Sequence, residues 1–256
     1  MRRRTSTTEV MAISEHELTV MTNDLEQIHH DVGMPAMESA IDEWTERTRS
    51  SRRGFLIGAG AVAGSAALVA VGTGGSAAWA GTSSKKTGKL KGDLAVAALA
   101  ASLENLAVAA YGDVLTAAGA NKLGTVPPAV ATFVTTVKGQ HAQHAQAWNS
   151  AIVSAGHKAV TEPDPVLTPV ITADFAKVTN VTGAAQLALM LENVASQTYQ
   201  SAVSAVKATS SVQVAASIQP VEMQHAAILY YVLGQYPVPN AFNPLTLARP
   251  VSDFQS

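Results

Sequence analysis

The stretch Leu103-Glu104-Asn105-Leu106-Ala107, with Tyr111 beyond it, returns later in the chain as Leu191-Glu192-Asn193-Val194-Ala195, with Tyr199 beyond it. In both copies the tyrosine follows the glutamate by seven residues, which brings it back to nearly the same side of a helix. A second pair, His141-Ala142-Gln143-His144-Ala145 and Glu222-Met223-Gln224-His225-Ala226, repeats in the same order. A chain that writes a two-helix unit twice buries like faces against each other about a pseudo-two-fold axis. Few architectures accept that constraint.

Helix signals bound the units. Asp93 is the expected N-cap of a first, very apolar helix ending near Gly119 to Gly124. Pro127 and Pro128 suit the opening turn of a second, which closes at Gly156. From His157 to about Gly183 the chain is rich in proline and threonine, a long crossover with room for one short helix. A third helix, "AAQLALMLENVASQTYQSAVSAVKA", and a fourth, "SVQVAASIQPVEMQHAAILYYVLGQY", follow, with Pro220 as a kink site in the last. With 47% apolar and 14% charged residues, much of the excess in alanine and valine, these helices can pack closely around one core. The sequence therefore predicts an all-α four-helix bundle over residues 93–236, with a long crossover between helices 2 and 3. The proline-rich residues 237–256 are expected to form an extended tail.

From Gly81 onward glutamate occurs only at positions 104, 162, 192 and 222, and histidine only at 141, 144, 157 and 225. Glu162 and His157 fall in the crossover; the other six lie mid-helix at echoed positions. A solvated helix face would place Lys or Arg three or four residues from such carboxylates. Glu104, Glu192, Glu222 and His225 have none. Carboxylates sharing a core without basic partners cost several kcal/mol each to desolvate unless protons or metal cations lie among them. A His three residues after a Glu puts both on one helix face, and a bundle can gather such pairs with single glutamates from neighbouring helices. Glu104, His141, His144, Glu192, Glu222 and His225 are accordingly candidate ligands for one or two divalent metal ions. Oxygen with imidazole donors suits iron foremost, then manganese or zinc. Cysteine is absent, which excludes disulfides, thiolate sites, a thiol nucleophile and a lipoprotein anchor.

Over Asp93 to Tyr236 the chain resembles the ferritin-like superfamily, particularly exported ferritin-like domain proteins, through Glu104 with Tyr111, His144, Glu192 with Tyr199, and Glu222-x-x-His225. The resemblance implies Glu104 and Glu192 as terminal ligands, Glu222 as a bridging carboxylate, and His144 and His225 as terminal imidazoles. Tyr111 and Tyr199 would be hydroxyls bonding to the carboxylates; ordinary core aromatics at helical spacing is the alternative. The departure is His141, which stands where the family has its second bridging glutamate. Histidine does not bridge two metals as a carboxylate does, and the change removes a negative charge.

Upstream, Ser51-Arg52-Arg53-Gly54-Phe55-Leu56 resembles a twin-arginine (Tat) export signal, followed by a Gly/Ala-rich apolar stretch and a small-x-small cleavage site at Ala78-Trp79-Ala80. The reading is a signal peptide over 51–80, a flexible linker over 81–92, and export across the cytoplasmic membrane with the twin-arginine machinery as partner. An uncleaved signal would leave a membrane anchor. Residues 1–50 carry ten acidic side chains against five arginines and read as a disordered or loosely helical cytoplasmic extension; a start at Met37 would give a signal of ordinary length. The net charge of −2 gives no electrostatic case for nucleic acid. Three functions stay open: an exported metal-binding protein without turnover, an extracytoplasmic di-metal oxidase or peroxide-consuming protein with Tyr111 or Tyr199 as electron donor, and a structural domain with a vestigial site. A storage cage is disfavoured, because a large assembly would have to survive export. Nothing in the sequence indicates oligomeric state.

Overall fold

The computed structural model describes residues 11–62, 90–250 and 252. Among them all regular structure is helical: α1 (Glu15–Ile28), α2 (Met34–Val62), α3 (Asp93–Gly119), α4 (Pro128–Ser154), α5 (Leu167–Phe175), α6 (Val181–Ala205) and α7 (Thr209–Val232). Helices α3 with α4 and α6 with α7 form two antiparallel hairpins, and α3 packs on α6 between them. The long crossover holds one short helix, α5. This is the four-helix arrangement expected over 93–236.

Local chemistry explains the helix ends. Pro127 and Pro128 open α4, where the missing N–H groups would have had no partner. Gly156 takes φ 85° just past α4, and its N–H and that of His157 return to Val153 and Ile152. Asn180 caps α6 by accepting from the Gly183 N–H at 2.8 Å. Asp164 starts α5, its Oδ1 accepting from the N–H groups of Val166 and Leu167, while its own N–H ties the crossover to Ser102 on α3. Asp93 departs from expectation. Gly92 is the N-cap of α3, and the Asp93 carboxylate instead accepts from the Lys207 and Ala208 N–H groups and the Ser211 hydroxyl, capping α7 across the bundle end. Pro220 lies inside a continuous α7, where it gives no N–H to the ladder.

By length and composition α3 is apolar enough to cross a bilayer, but 72% of its most apolar window is buried, as befits a core helix. Besides a small cluster of Leu106, Ala110, Ile171 and Leu191, the interior is two large apolar clusters. One gathers Ala107, Tyr111, Phe133, Val137, Leu189 and Leu229; the other gathers Val96, Ala101, Trp148, Tyr199, Val214 and Ile218. The stretches of α3, α4, α6 and α7 between these clusters carry the six candidate ligands, so a polar layer divides the core.

Residues 15–49, read from the sequence as a disordered or loosely helical extension, are helical and packed. Helix α1 passes through a π-turn, His29–Gly33, directly into α2, and this long helix lies along α4 and α7. Its buried positions are Leu18, Thr22, Leu25 and His29, then Met37, Ala40 and Trp44. The spacing of three and four on each side of the turn is that of a stripe facing a partner. Between His29 and Met37 it is one residue longer than a heptad, and the π-turn absorbs that extra residue so both halves face the bundle. Pro35, without an N–H, already interrupts the α ladder just beyond. A chain begun at Met37 would lack Leu18, Leu25 and His29 from the core. The signal reading of 51–80 and the linker reading of 81–92 fall outside the described residues, apart from helical backbone to Val62 and residues 90–92.

After α7 the chain turns at Gly234 and runs without regular structure along α6. Asn243 Nδ2 donates to Ser196 Oγ, and the N–H groups of Leu247 and Arg249 donate to Gln197 and Thr198 side chains.

Candidate metal centre

Each helix of the two hairpins contributes to the polar layer: α3 gives Glu104, α4 His141 and His144, α6 Glu192, and α7 Glu222 and His225. All six side chains are at most 2% exposed. Two groups of four place one donor atom each within 4.8 Å of the others: Glu104, His141, His144 and Glu222, and His141, Glu192, Glu222 and His225. Glu222 and His141 belong to both. The two lobes match the doubled sequence, with one unshared Glu and one unshared His apiece.

The tyrosines confirm the pseudo-symmetry by crossing it. Tyr111, on the helix of Glu104, donates to Glu192 Oε1, and Tyr199, on the helix of Glu192, donates to Glu104 Oε1. Trp148 Nε1 in turn donates to the Tyr199 hydroxyl at 2.8 Å. Burial and the adjacent carboxylate raise both phenols well above the usual tyrosine range, so they remain protonated donors.

His141 sits between the lobes. Its Nδ1 donates to Glu104 Oε2 at 2.7 Å and its Nε2 to Glu192 Oε1 at 3.2 Å, so each nitrogen faces a different lobe. Burial alone would discharge this ring; Glu222, Glu192 and Glu104 outweigh it and hold the imidazolium well above the ordinary histidine range. Burial likewise opposes charge on His144 and His225, and their carboxylate neighbours prevail, with His144 raised to about 9. Burial pushes the Glu104 and Glu192 carboxyls up, but the imidazoles hold Glu104 at about 2 and Glu192 well below its usual value. Without a metal, ionised Glu104 and Glu192 mesh with protonated His141, His144 and His225.

That mesh is incomplete. Glu222 Oε1 lies 3.0 Å from His144 Nδ1, yet both Glu222 oxygens and both His144 nitrogens are buried without an aligned hydrogen bond. At that distance the pair is a charge contact without hydrogen-bond alignment. Unsatisfied buried carboxylate and imidazole atoms are costly. Hard oxygen and imidazole donors, converging and lacking partners, fit a divalent cation.

Two contacts reach the layer from the N-terminal helix, and sequence reasoning missed both. His29, 3% exposed on the π-turn, sets its ring edge-on to His144 with centroids 5.2 Å apart, and its Nε2 bonds Gln143 Oε1 at 2.9 Å. Burial, with His144 adding to it, lowers His29 to about 4 and keeps it neutral. Glu26 Oε2 accepts from Gln140 Nε2 at 2.9 Å, and Gln140 Oε1 meets His225 Nε2 at 2.8 Å. The seven-residue stripe around His29 was the available signal. On the opposite side, a cavity of about 20 Å³ lined by Leu103, Leu106, Leu167 and Leu191 abuts Glu104, His141 and Glu192, room for about one water.

A family model described as a ferritin-like domain matches residues 92–235, more than half of the 256-residue chain. No curated protein and no solved structure matches it.

Proposed function

The chain belongs to the ferritin-like domain family, and from that premise we propose that it is an exported metal-binding protein holding one or two divalent ions, iron foremost, in the polar layer. Glu104 and His144 serve one lobe, Glu192 and His225 the other, and Glu222 lies between them. The observation that carries this is Glu222, buried with neither oxygen in an aligned hydrogen bond and shared by the two groups of four donors. His141 lends one nitrogen to a metal or stays as an internal cation; in neither role does it join two metals. A single carboxylate shared by the two donor groups would favour binding over turnover.

A bound iron or manganese ion would supply Lewis-acid and redox chemistry at this position. The chain's own part is to hold the ligands still. Tyr111 and Tyr199 occupy one oxygen each of Glu192 and Glu104, leaving the other oxygen toward the centre. The apolar clusters above and below keep water from competing. The crossed tyrosine pair, buried on ligand carboxylates, favours the di-metal oxidase or peroxide-consuming reading as the second one. Export rests on Ser51 to Leu56 and Ala78 to Ala80, with the twin-arginine machinery as partner; changing Arg52 and Arg53 to Lys should trap the protein inside the cell.

The deciding experiment loads the purified full chain with iron, manganese or zinc and counts metal per chain after desalting. Between about one and two ions is expected, and fewer than about half an ion per chain with all three metals would overturn the reading. Oxygen and peroxide consumption by the iron-loaded protein then separates binding from turnover.

A further inference from the structure

The N-terminal helix touches the polar layer through residues that the four-helix bundle does not supply. We infer that Glu26 and His29 are positioning residues of the metal centre, Glu26 setting which nitrogen of His225 faces inward and His29 packing against the ring of His144. This rests on the metal reading above.

The Glu26 carboxylate accepts from Gln140 at 2.9 Å. A carboxylate cannot donate, so the Gln140 group facing it is the NH2. The amide oxygen is then fixed toward His225, 2.8 Å from its Nε2. An amide oxygen cannot donate either, so Nε2 carries the proton. That leaves Nδ1 as the nitrogen aimed at Glu192, at 3.2 Å, and Glu222, at 3.6 Å. One acidic side chain on the outer helix thereby selects the tautomer in which His225 presents a lone pair to a metal. Outer partners of this kind are what orient metal-binding imidazoles.

His144 is served from the same helix. Its Nδ1 points into the layer near Glu222, and its Nε2 is buried without a partner. His29 packs edge-on against this ring, centroids 5.2 Å apart, and is itself held by Gln143 at 2.9 Å, with its own Nδ1 also buried and unpartnered. The π-turn places this ring there. Glu26 and His29, one helical turn apart on one helix, thus reach His225 through Gln140 and His144 by ring contact, and Gln140 and Gln143 meet them from α4.

The test uses the full-length protein, with cobalt(II) alone as probe, and reads affinity together with the visible ligand-field spectrum. Glu26→Lys inverts the outer partner: an ammonium can only donate, so Gln140 turns, shows its NH2 to His225, and forces the proton onto Nδ1. Cobalt affinity should fall about 10- to 100-fold with a changed spectrum. Glu26→Gln keeps an acceptor and should bind like wild type, while Glu26→Ala should fall between. His29→Ala should alter the spectrum through His144. Unchanged affinity and spectrum in Glu26→Lys and His29→Ala, with cobalt bound by wild type, would overturn this inference and leave the proposed function standing. Equal losses in Glu26→Gln and Glu26→Lys would overturn the orientation argument, since charge would then be the cause. No cobalt binding by wild type would overturn both.

Discussion

Replacing Glu192 with Ala isolates the metal reading from the fold. Glu192 is fully buried and accepts from Tyr111, from His141 at 3.2 Å and from His225 at 3.2 Å. Its removal strands two imidazoles raised toward the charged form and one phenol. Breaking a buried ion pair by deleting one partner costs about 3–5 kcal/mol. At about 2–4 °C per kcal/mol for a chain of this size, the metal-free variant should melt about 6 to 20 °C below wild type. Helix content before melting should be unchanged, because the apolar clusters on either side are intact. Metal at one hundred times its Kd stabilises wild type by about 2.7 kcal/mol, a rise of about 5 to 11 °C. The variant lacks a donor of one lobe and should show almost none of that rise. Far-UV circular dichroism melts with and without metal give all four values. A variant that starts lower but gains as much from metal as wild type would refute the assignment of Glu192 as a ligand.

Leu18→Ala, at a fully buried site on α1, should cost about 2–5 kcal/mol in denaturant unfolding; no cost would mean that α1 is not part of the fold. Tyr111→Phe and Tyr199→Phe each remove a hydrogen bond to a buried carboxylate and should each cost about 1.5–3 kcal/mol. By the pseudo-symmetry the losses should be similar, except that Tyr199→Phe also strands Trp148 Nε1. For pH, His144 is raised from 6.5 to about 9 on folding, so its stabilisation is complete below about pH 6.5 and lost as pH rises through 9. Glu104 is lowered from 4.5 to about 2, so its stabilisation is present above pH 4.5 and lost as pH falls through 2. His29, lowered from 6.5 to about 4, works against these in acid, its stabilisation being complete above pH 6.5 and lost as pH falls toward 4, so urea unfolding of the metal-free protein should be hardest at about pH 6 and ease on either side between pH 4 and 9. Metal affinity should run the other way and tighten as pH rises, because metal displaces the imidazole protons. Titrations with a competing chelator across that range check the sign.

The doubled Glu-x6-Tyr pattern carried most of the centre's geometry, because a duplicated unit repeats its spacing wherever the structure repeats its contacts. Even so, the tyrosines bond to the glutamate of the other copy, a crossing that spacing along one helix cannot express. His141 stood out as the position breaking the pattern, and it lies where a shared carboxylate would be, at the junction of the lobes. Asp93 looked like a cap for its own helix and caps α7 instead; the local signal marks a capping residue without saying which helix end it reaches. Residues 15–49 misled by composition. Glu15, Glu17, Asp24 and Glu38 form the wet side of a helix, while the buried stripe is built partly of Thr22, His29 and Ala40, weakly hydrophobic residues that leave little periodic contrast. Glu26, Gln140 and Gln143 were invisible for a further reason: their pairing joins residues more than a hundred positions apart through polar groups with no periodic signature.

The helix that packs on the centre and the bundle that forms it are joined through residues 63–89, the stretch containing the proposed cut after Ala80. While the chain is whole, the covalent link keeps the helix beside α4 and α7 at an effective concentration on the order of millimolar. Once severed, it stays only as long as its own contacts last, and it is then free to diffuse away. Proteolysis would thus act as a one-way step for the centre: sheltered in the intact chain, and opened on the α4–α7 side in the trimmed one. The time between folding and cutting would set how long a metal ion has to settle before its surroundings change.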